Sequence, residues 1–424
     1  MRNIRLWQRV LGLARTVIEN VVFDEDDGVI VVSVRPRKGA RRRCGRCGRR
    51  SPWYDRGQGR RRWRGLDLGE VQVWLEADVP RVSCAAHGPT VIQVPWARPN
   101  AGHTYAFDDT VAWLVTQASK TAVSELMRIA WRTVGAIITR VVADIDRQVD
   151  RFDGVRRIGI DEISYKRGHR YLTVVVDHDR RRLIWAGVGH DEATLRGFFE
   201  LLGPARCAAI SHVSADGAGW IHSVVEDACP NAVLAADPFH VVKWANDALD
   251  EVRRQVWNDA RRDVMLPAGR EARRNQQHIA HPVKKARYAL WKNPEDLTAH
   301  QAAQLAWIAK THPRLHRAYL LKEGLRHVFR LGGDAGKHAL DRWLSWARRC
   351  RIPAFVALAR RIVRHRDAIH VTLDTGLSNG LIESTNTKIR VLARIAFGFH
   401  NPDALIALAM LSVGGYRPDL PGRK

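Results

Sequence analysis

The stretch from Val155 to Asp237 constrains the fold of this 424-residue chain more than any other part. It opens with VRRIGIDEIS, RYLTVVVDH and RRLIWAGVG, three β-branched runs joined by short polar turns. Such runs predict strands, and turns this short predict an antiparallel meander. A helical pattern, ATLRGFFELLG, comes next, then a fourth strand-like run, AAISHVSAD. A second helix, IHSVVEDACP, leads to a fifth run, NAVLAAD. Alternation of this kind predicts an α/β layer. From about Val241 to Ala368 the pattern turns helical and strongly basic, and a last helix-rich piece runs from about Leu377 to Gly414.

Three acidic residues stand out within this frame. Asp161 sits among apolar neighbours in the middle of the first strand, where a lone carboxylate is costly unless bound or paired. Asp216 ends the fourth strand, directly before Gly217, which permits a sharp turn. Glu383 follows the turn-like pair Asn379-Gly380, in the first turn of a helix. Phosphodiester cleavage with two divalent cations requires carboxylates that converge on ions about 3.5–4 Å apart. Hard cations such as magnesium take oxygen ligands. An Asp on the first strand, an Asp ending its neighbour and a Glu on a helix behind can form that set. Glu162 is adjacent, but strand alternation turns it to the opposite face. Asp237, with His240 three residues later, also follows a strand and rivals Asp216. Asp216 is preferred because it ends the strand expected beside the first, and Asp237 stays open on these residues alone.

The N-terminal part carries a different signature. Residues 28–35 and 71–84 read as strands, with a dense Arg/Gly segment between them. Cys44-Gly-Arg-Cys47 and Cys84-Ala-Ala-His87 form two short-loop pairs, 36 residues apart. Zinc prefers four tetrahedral sulfur and nitrogen ligands, and two such pairs supply them. With all four positions filled this is a structural zinc, in a ribbon with strands between its knuckles. Arg41, Arg42, Arg43, Arg46, Arg49, Arg50, Arg60, Arg61, Arg62 and Arg64 surround it and suit phosphate contacts. Trp53, Tyr54 and Trp63, lying among them, are expected in the ribbon core rather than against bases. After the linker-like residues 95–103, three helical patterns over 105–148 predict a helix-turn-helix, with Arg128, Trp131, Arg132 and Thr133 as base-reading candidates.

Composition agrees with a polyanionic partner. Lys and Arg number 69 against 44 acidic residues, a formal charge of +25, and nucleic acid is the commonest match for such a surplus. No apolar run approaches the roughly 18 residues of a membrane span, and the basic start lacks a signal-peptide core. Six cysteines in a chain this long fit a reducing cytoplasm rather than a disulfide framework.

Taken together, C-x2-C…C-x2-H, GIDEISYKRGHRYLTVVVDH, VSADG, NAVLAADPFHVVK and SNGLIESTNTKIRVLARIAFGF resemble the ISL-three family of bacterial insertion-sequence DDE transposases. These motifs span nearly the whole chain in the family's order. The resemblance implies a multidomain α/β protein: zinc ribbon, helix-turn-helix, and an RNase H-like catalytic domain interrupted by an all-helical insertion. The expected boundaries are 1–98 for the N-terminal strand and zinc domain, 103–150 for the helix-turn-helix and 154–240 for the first catalytic part. The insertion follows at 241–376, and the last catalytic part, with Glu383, at 377–416. It implies two-metal chemistry with Mg2+ or Mn2+ held by Asp161, Asp216 and Glu383, beside zinc on Cys44, Cys47, Cys84 and His87. Asp237-Pro-Phe-His240 matches the family's D-x-x-H element, which favours Asp216 as the second catalytic Asp. The implied partners are double-stranded DNA, both terminal inverted repeats and target, and further copies of the chain; the implied location is the cytoplasm, at the nucleoid. Two other readings share many of these features: a DNA-binding regulator with an inert RNase H-like domain, and a different RNase H-like nuclease such as a junction resolvase.

Overall fold

The computed structural model describes the chain except for residues 1–3, 167, 216–218, 266–281, 397–398, 400 and 424. Contacts divide it into two compact units, Met1–Arg151 with Lys388–Lys424, and Phe152–Thr387.

In the first unit a short helix, α1 (Ile4–Leu11), precedes strands β1 (Thr16–Asp24), β2 (Val29–Pro36), β3 (Trp53–Asp55), β4 (Arg60–Arg64), β5 (Gln72–Asp78), β6 (Arg81–Cys84) and β7 (Gly88–Val91). They form a four-stranded sheet, β1-β2-β5-β4, and a three-stranded one, β3-β6-β7. Along β5, Val73, Leu75 and Ala77 point inward by strand alternation, joining Ile18, Val32, Val34 and Trp63 in one core. Helices α2 (Tyr105–Leu114) and α3 (Lys120–Leu126) both pack on α4 (Trp131–Gln148). Their starts are well defined because Thr104 accepts from Phe107 N and Ser119 from Ala122 N. Such caps contribute about 1 kcal/mol each.

The second unit is built on β8 (Arg157–Lys166), β9 (Arg170–Asp177), β10 (Arg182–Val188), β11 (His212–Ala215) and β12 (Val233–Ala235), in the order β10-β9-β8-β11-β12. The first three strands are antiparallel, whereas β11 runs parallel to both β8 and β12. Parallel neighbours need crossover connections. Helices α5 (Glu192–Leu202) and α6 (Pro204–Cys207) supply one, and α7 (Gly219–Ala228) the other. Ile158, Ile160 and Val213 of the sheet bury against Leu195 and Phe198 of α5 and Ile221 and Val224 of α7. Alternation then turns Asp161 to the opposite face.

The described residues from Pro238 to Thr375 contain no strand. They form α8 (Pro238–Met265), α9 (Arg287–Trp291), α10 (Ala299–Thr311), α11 (Pro313–Leu331), α12 (Gly333–Arg349), α13 (Pro353–Arg364) and α14 (Arg366–Thr375). These helices share a core of their own, including Leu249, Leu315, Leu325, Leu340, Trp343 and Phe355. Helix α14 returns to the sheet beside β12, where Thr372 Oγ1 donates to Ala236 O at 2.6 Å and Ala236 N to Ala368 O at 3.0 Å. Next comes α15 (Gly380–Ile395), and then α16 (Pro402–Val413), which packs on α4. The expected last segment, 377–416, therefore divides near Lys388 by packing. Its tail sides with the first unit because Leu405, Leu408 and Leu411 bury there, and Tyr416 Oη donates to Asp146 Oδ1 at 2.6 Å. Among the described residues, no helix is long and apolar enough to cross a membrane.

Candidate metal centre and active site

The two N-terminal pairs meet. Ligand atoms of Cys44, Cys47, Cys84 and His87 all lie within 4.8 Å of one another, with His87 Nδ1 3.7 Å from Cys44 Sγ and 3.6 Å from Cys84 Sγ. Tetrahedral zinc with bonds of about 2.0–2.3 Å sets its ligands about 3.3–3.8 Å apart, so the cage fits. Gly45 makes the first knuckle possible, since a Cβ there would come within 2.6 Å of Val91 O. The Cys84 thiol is pushed down to about 6, first by the Ala86 backbone N–H and then by His87, towards the thiolate that binds metal.

Around this cage the structure narrows the sequence candidates. Arg60 and Arg62 point to one side of β4 and both meet Glu76, at 2.9 and 3.0 Å. Arg64 is buried against Asp67. None of these three is free for phosphate. Trp63 is in the core, edge-on to Trp96 at 5.4 Å, but Trp53 and Tyr54 stand 48% and 51% exposed. The expectation of core positions for those two is corrected: β3 is a three-residue strand at a sheet edge, too short to cover them. In the helix-turn-helix, Arg128 bonds Asp67 and donates to Glu70 O at 2.9 Å, so it ties the motif to the ribbon. Trp131 and Arg132 begin α4 exposed, and Thr133 is half-buried.

On the sheet of the second unit, Asp161 lies mid-β8, opposite Val174 of β9. Its Oδ1 accepts from the Glu162 backbone N–H at 2.7 Å, and its Oδ2 accepts from Asn386 Nδ2 at 2.7 Å. Asn386 belongs to α15, three residues after Glu383, and residues three apart share a helix face. Glu383 is exposed in the first turn, its backbone N–H bonded to Asn379 O at 2.8 Å. Asp216 lies outside the described residues. The strand before it ends at Ala215, which pairs with Ile160. On the Asp161 face, Gly159 makes room for His178, whose Nε2 lies 2.8 Å from Ser214 Oγ; a Cβ at 159 would sit 2.9 Å from that nitrogen.

Asp237 joins two helix starts. Its Oδ2 accepts from His240 N at 3.1 Å and lies 2.9 Å from His240 Nδ1, capping α8, while Oδ1 accepts from the buried Asn379 N–H at 3.0 Å. Asn379 and Asn386 are the residues that sequence reasoning missed. The offset of Asn386 from Glu383 was a usable signal, whereas the Asn379–Asp237 bond bridges 142 positions. Among the described residues, the buried Oδ1 atoms of both asparagines have no hydrogen-bond partner. The Asp161 carboxylate itself is the kind of oxygen donor that a hard cation takes.

Residues 158–409 match a family model described as a transposase of the ISL3 type. The chain belongs to the ISL3 family of insertion-sequence transposases. Residues 92–142 match the helix-turn-helix domain of ISL3 transposases, and residues 40–87 match the zinc finger of the IS204/IS1001/IS1096/IS1165 transposases. The ISL3 chain is 64% identical over its full length to the transposase for insertion sequence element IS1557 of Mycobacterium tuberculosis, covering 98% of that protein. It is 26% identical to the transposase for IS1001 of Bordetella parapertussis, over 95% of this chain and 96% of that one. It is thus a DNA-binding DDE transposase with a helix-turn-helix and a zinc ribbon.

Proposed function

We propose that Asp161, Asp216 and Glu383 are the carboxylate triad with which this transposase cuts the ends of its element and joins them to target DNA. The observation that carries the proposal is the 2.7 Å bond from Asn386 to Asp161, which draws the helix bearing Glu383 to the middle of β8. Asp216 is included through chain connectivity. It is covalently joined to Ala215, the partner of Ile160, and consecutive Cα atoms are about 3.8 Å apart. Three antiparallel strands followed by two parallel ones support an RNase H-like core. The helices from Pro238 to Thr375 are then an insertion between its fifth strand and its Glu383 helix.

Asp161, Asp216 and Glu383 would hold magnesium or manganese, which when bound would activate a water or a DNA 3′-hydroxyl and neutralise charge on the leaving oxygen. The chain's own contribution is positional. Asn386 orients the Asp161 carboxylate, Asn379 starts the helix that presents Glu383, and the His178–Ser214 pair fills the space beside Gly159. No covalent protein–DNA intermediate is required. The helix-turn-helix selects the terminal inverted repeats, and the ribbon, with zinc on its Cys and His ligands, supports that contact. Two ends have to be brought together, which calls for a dimer or larger assembly.

The test is incubation with duplexes that carry the element's ends, in magnesium, with nicked and joined products scored. Asp161→Asn should bind the ends as the wild type does and yield neither product. Joining at the wild-type level by this variant rejects the triad.

A further inference from the structure

A cavity of about 470 Å³ opens in the first unit between the Cys44–Cys47 knuckle and β4. Arg46, Arg61, Arg81, Arg98, Arg147 and Asn100 contribute to its wall, and among the described residues no carboxylate lines it. Three of these arginines are held in place. Arg81 bonds Asp55 at 3.0 Å, Arg98 bonds Asp109 at 2.7 Å and Asp144 at 2.9 Å, and Arg147 bonds Asp144 at 3.1 Å.

Arg46 and Arg61 differ from these. Strand alternation explains Arg61: Arg60 and Arg62 point to the side where Glu76 neutralises them, and Arg61 points the other way, into the cavity. Arg46 sits in the knuckle itself, its backbone N–H donating to Cys44 Sγ at 3.4 Å, so the metal cage fixes where its side chain starts. Both are exposed, and neither has an ion pair among the described residues. Two uncommitted guanidiniums on two rigid elements, in a concave wall without carboxylates, suit phosphate oxygens, which arginine meets with two parallel N–H groups.

We infer that this groove seats the sugar–phosphate backbone of duplex DNA, with Arg46 and Arg61 as its phosphate contacts. The inference rests on the DNA-binding part of the proposed function and adds a docking surface distinct from the helix-turn-helix. Phosphate contacts fix register without reading bases. The groove therefore holds any duplex equally, and the choice of terminal repeat stays with α4.

Salt-dependent binding tests this in the full-length, zinc-loaded protein. Dissociation constants are measured across a salt series on a terminal-repeat duplex and on a scrambled duplex. Each phosphate contact contributes about 0.9 to the slope of log affinity against log salt. Arg46→Gln and Arg61→Gln should each lower the slope by about 0.9, and the double variant by about 1.8. The fold loss should be the same on both duplexes, the zinc content unchanged, and Arg61→Lys should restore most of the slope. An unchanged slope in the double variant with zinc retained overturns the groove alone, as does a loss confined to the terminal-repeat duplex or tighter binding of an acidic peptide than of DNA. A wild type that binds neither duplex overturns the DNA reading together with the groove.

Discussion

Asp237 offers the sharpest test of how this site is held. Its carboxylate is 5% exposed and joins the start of α8 to the start of the helix that bears Glu383. In Asp237→Ala the N-cap of α8 is lost, at about 1 kcal/mol. The Asn379 N–H is then left buried without an acceptor, at about 1–3 kcal/mol. The expected loss is about 3 kcal/mol. For a domain the size of residues 152–387, about 2–4 °C is lost per kcal/mol. The melting transition should therefore fall by about 6–12 °C. Asp237→Asn keeps one acceptor oxygen but turns an NH2 towards a donor, and should lose about half as much. The same variant carries the functional arm. With α15 less firmly anchored, the magnesium concentration that half-saturates strand cleavage should rise, while affinity for the terminal repeats stays constant. Calorimetric melting and a metal titration of cleavage measure the two effects. A fall under 2 °C in the alanine variant would refute the capping arithmetic. A lowered melting point with an unaltered magnesium requirement would refute the coupling to Glu383.

Two further outcomes follow from the remaining geometry. Metal analysis of the purified protein should give about one zinc per chain; Cys84→Ser should lose it together with DNA binding, and a zinc-free protein that binds DNA normally would contradict the structural role. In the second unit His178, His222, His312 and His365 are all held below the usual histidine value, chiefly by burial. Their neutral forms are favoured on folding, so the unfolded chain binds more protons. This stability is fully present above the unfolded value of about 6.5 and is lost as pH falls through the lower folded values. Urea midpoints should accordingly be lower at pH 5.5 than at 7.5, with a smaller drop in His178→Gln. A midpoint that rises on acidification would reverse the sign and refute the assignment.

Local chemistry was legible in the sequence where a short pattern determines it. The meander of β8, β9 and β10 follows from β-branched runs between short turns, and the zinc cage follows from two pairs of ligands with tight loops. The three helices of the helix-turn-helix follow from apolar spacing, and the first two begin at hydroxyl caps, Thr104 and Ser119. Long-range pairing was not legible. The parallel contact of β2 with β5 joins segments some forty residues apart, and nothing local to either strand encodes its partner. Ion pairs were hidden in the same way. Ten arginines near the cage looked alike, yet Glu76 and Asp67 neutralise three of them from other strands and turns. The exposed Trp53 and Tyr54 show the limit of a composition argument: an aromatic residue enters a core when its strand has a covered face, and β3 has none to offer.

What separates Asp237 from Asp216 as a candidate is the set of contacts its carboxylate already holds. Both follow a strand of the same sheet, so position along the chain does not separate them. Asp237 meets backbone N–H groups at two helix starts, one on each oxygen. Those donors are fixed by the helices, and a cation bound to this carboxylate would draw charge away from the caps it serves. Asp161 accepts a backbone N–H as well, from Glu162 on Oδ1. Its partner on Oδ2 is the side-chain amide of Asn386, which can rotate, and whose own oxygen is buried without a partner among the described residues. This supports the proposal in which Asp237 holds the two helix starts and Asp216, next in the chain after Ala215, is the second metal-binding carboxylate.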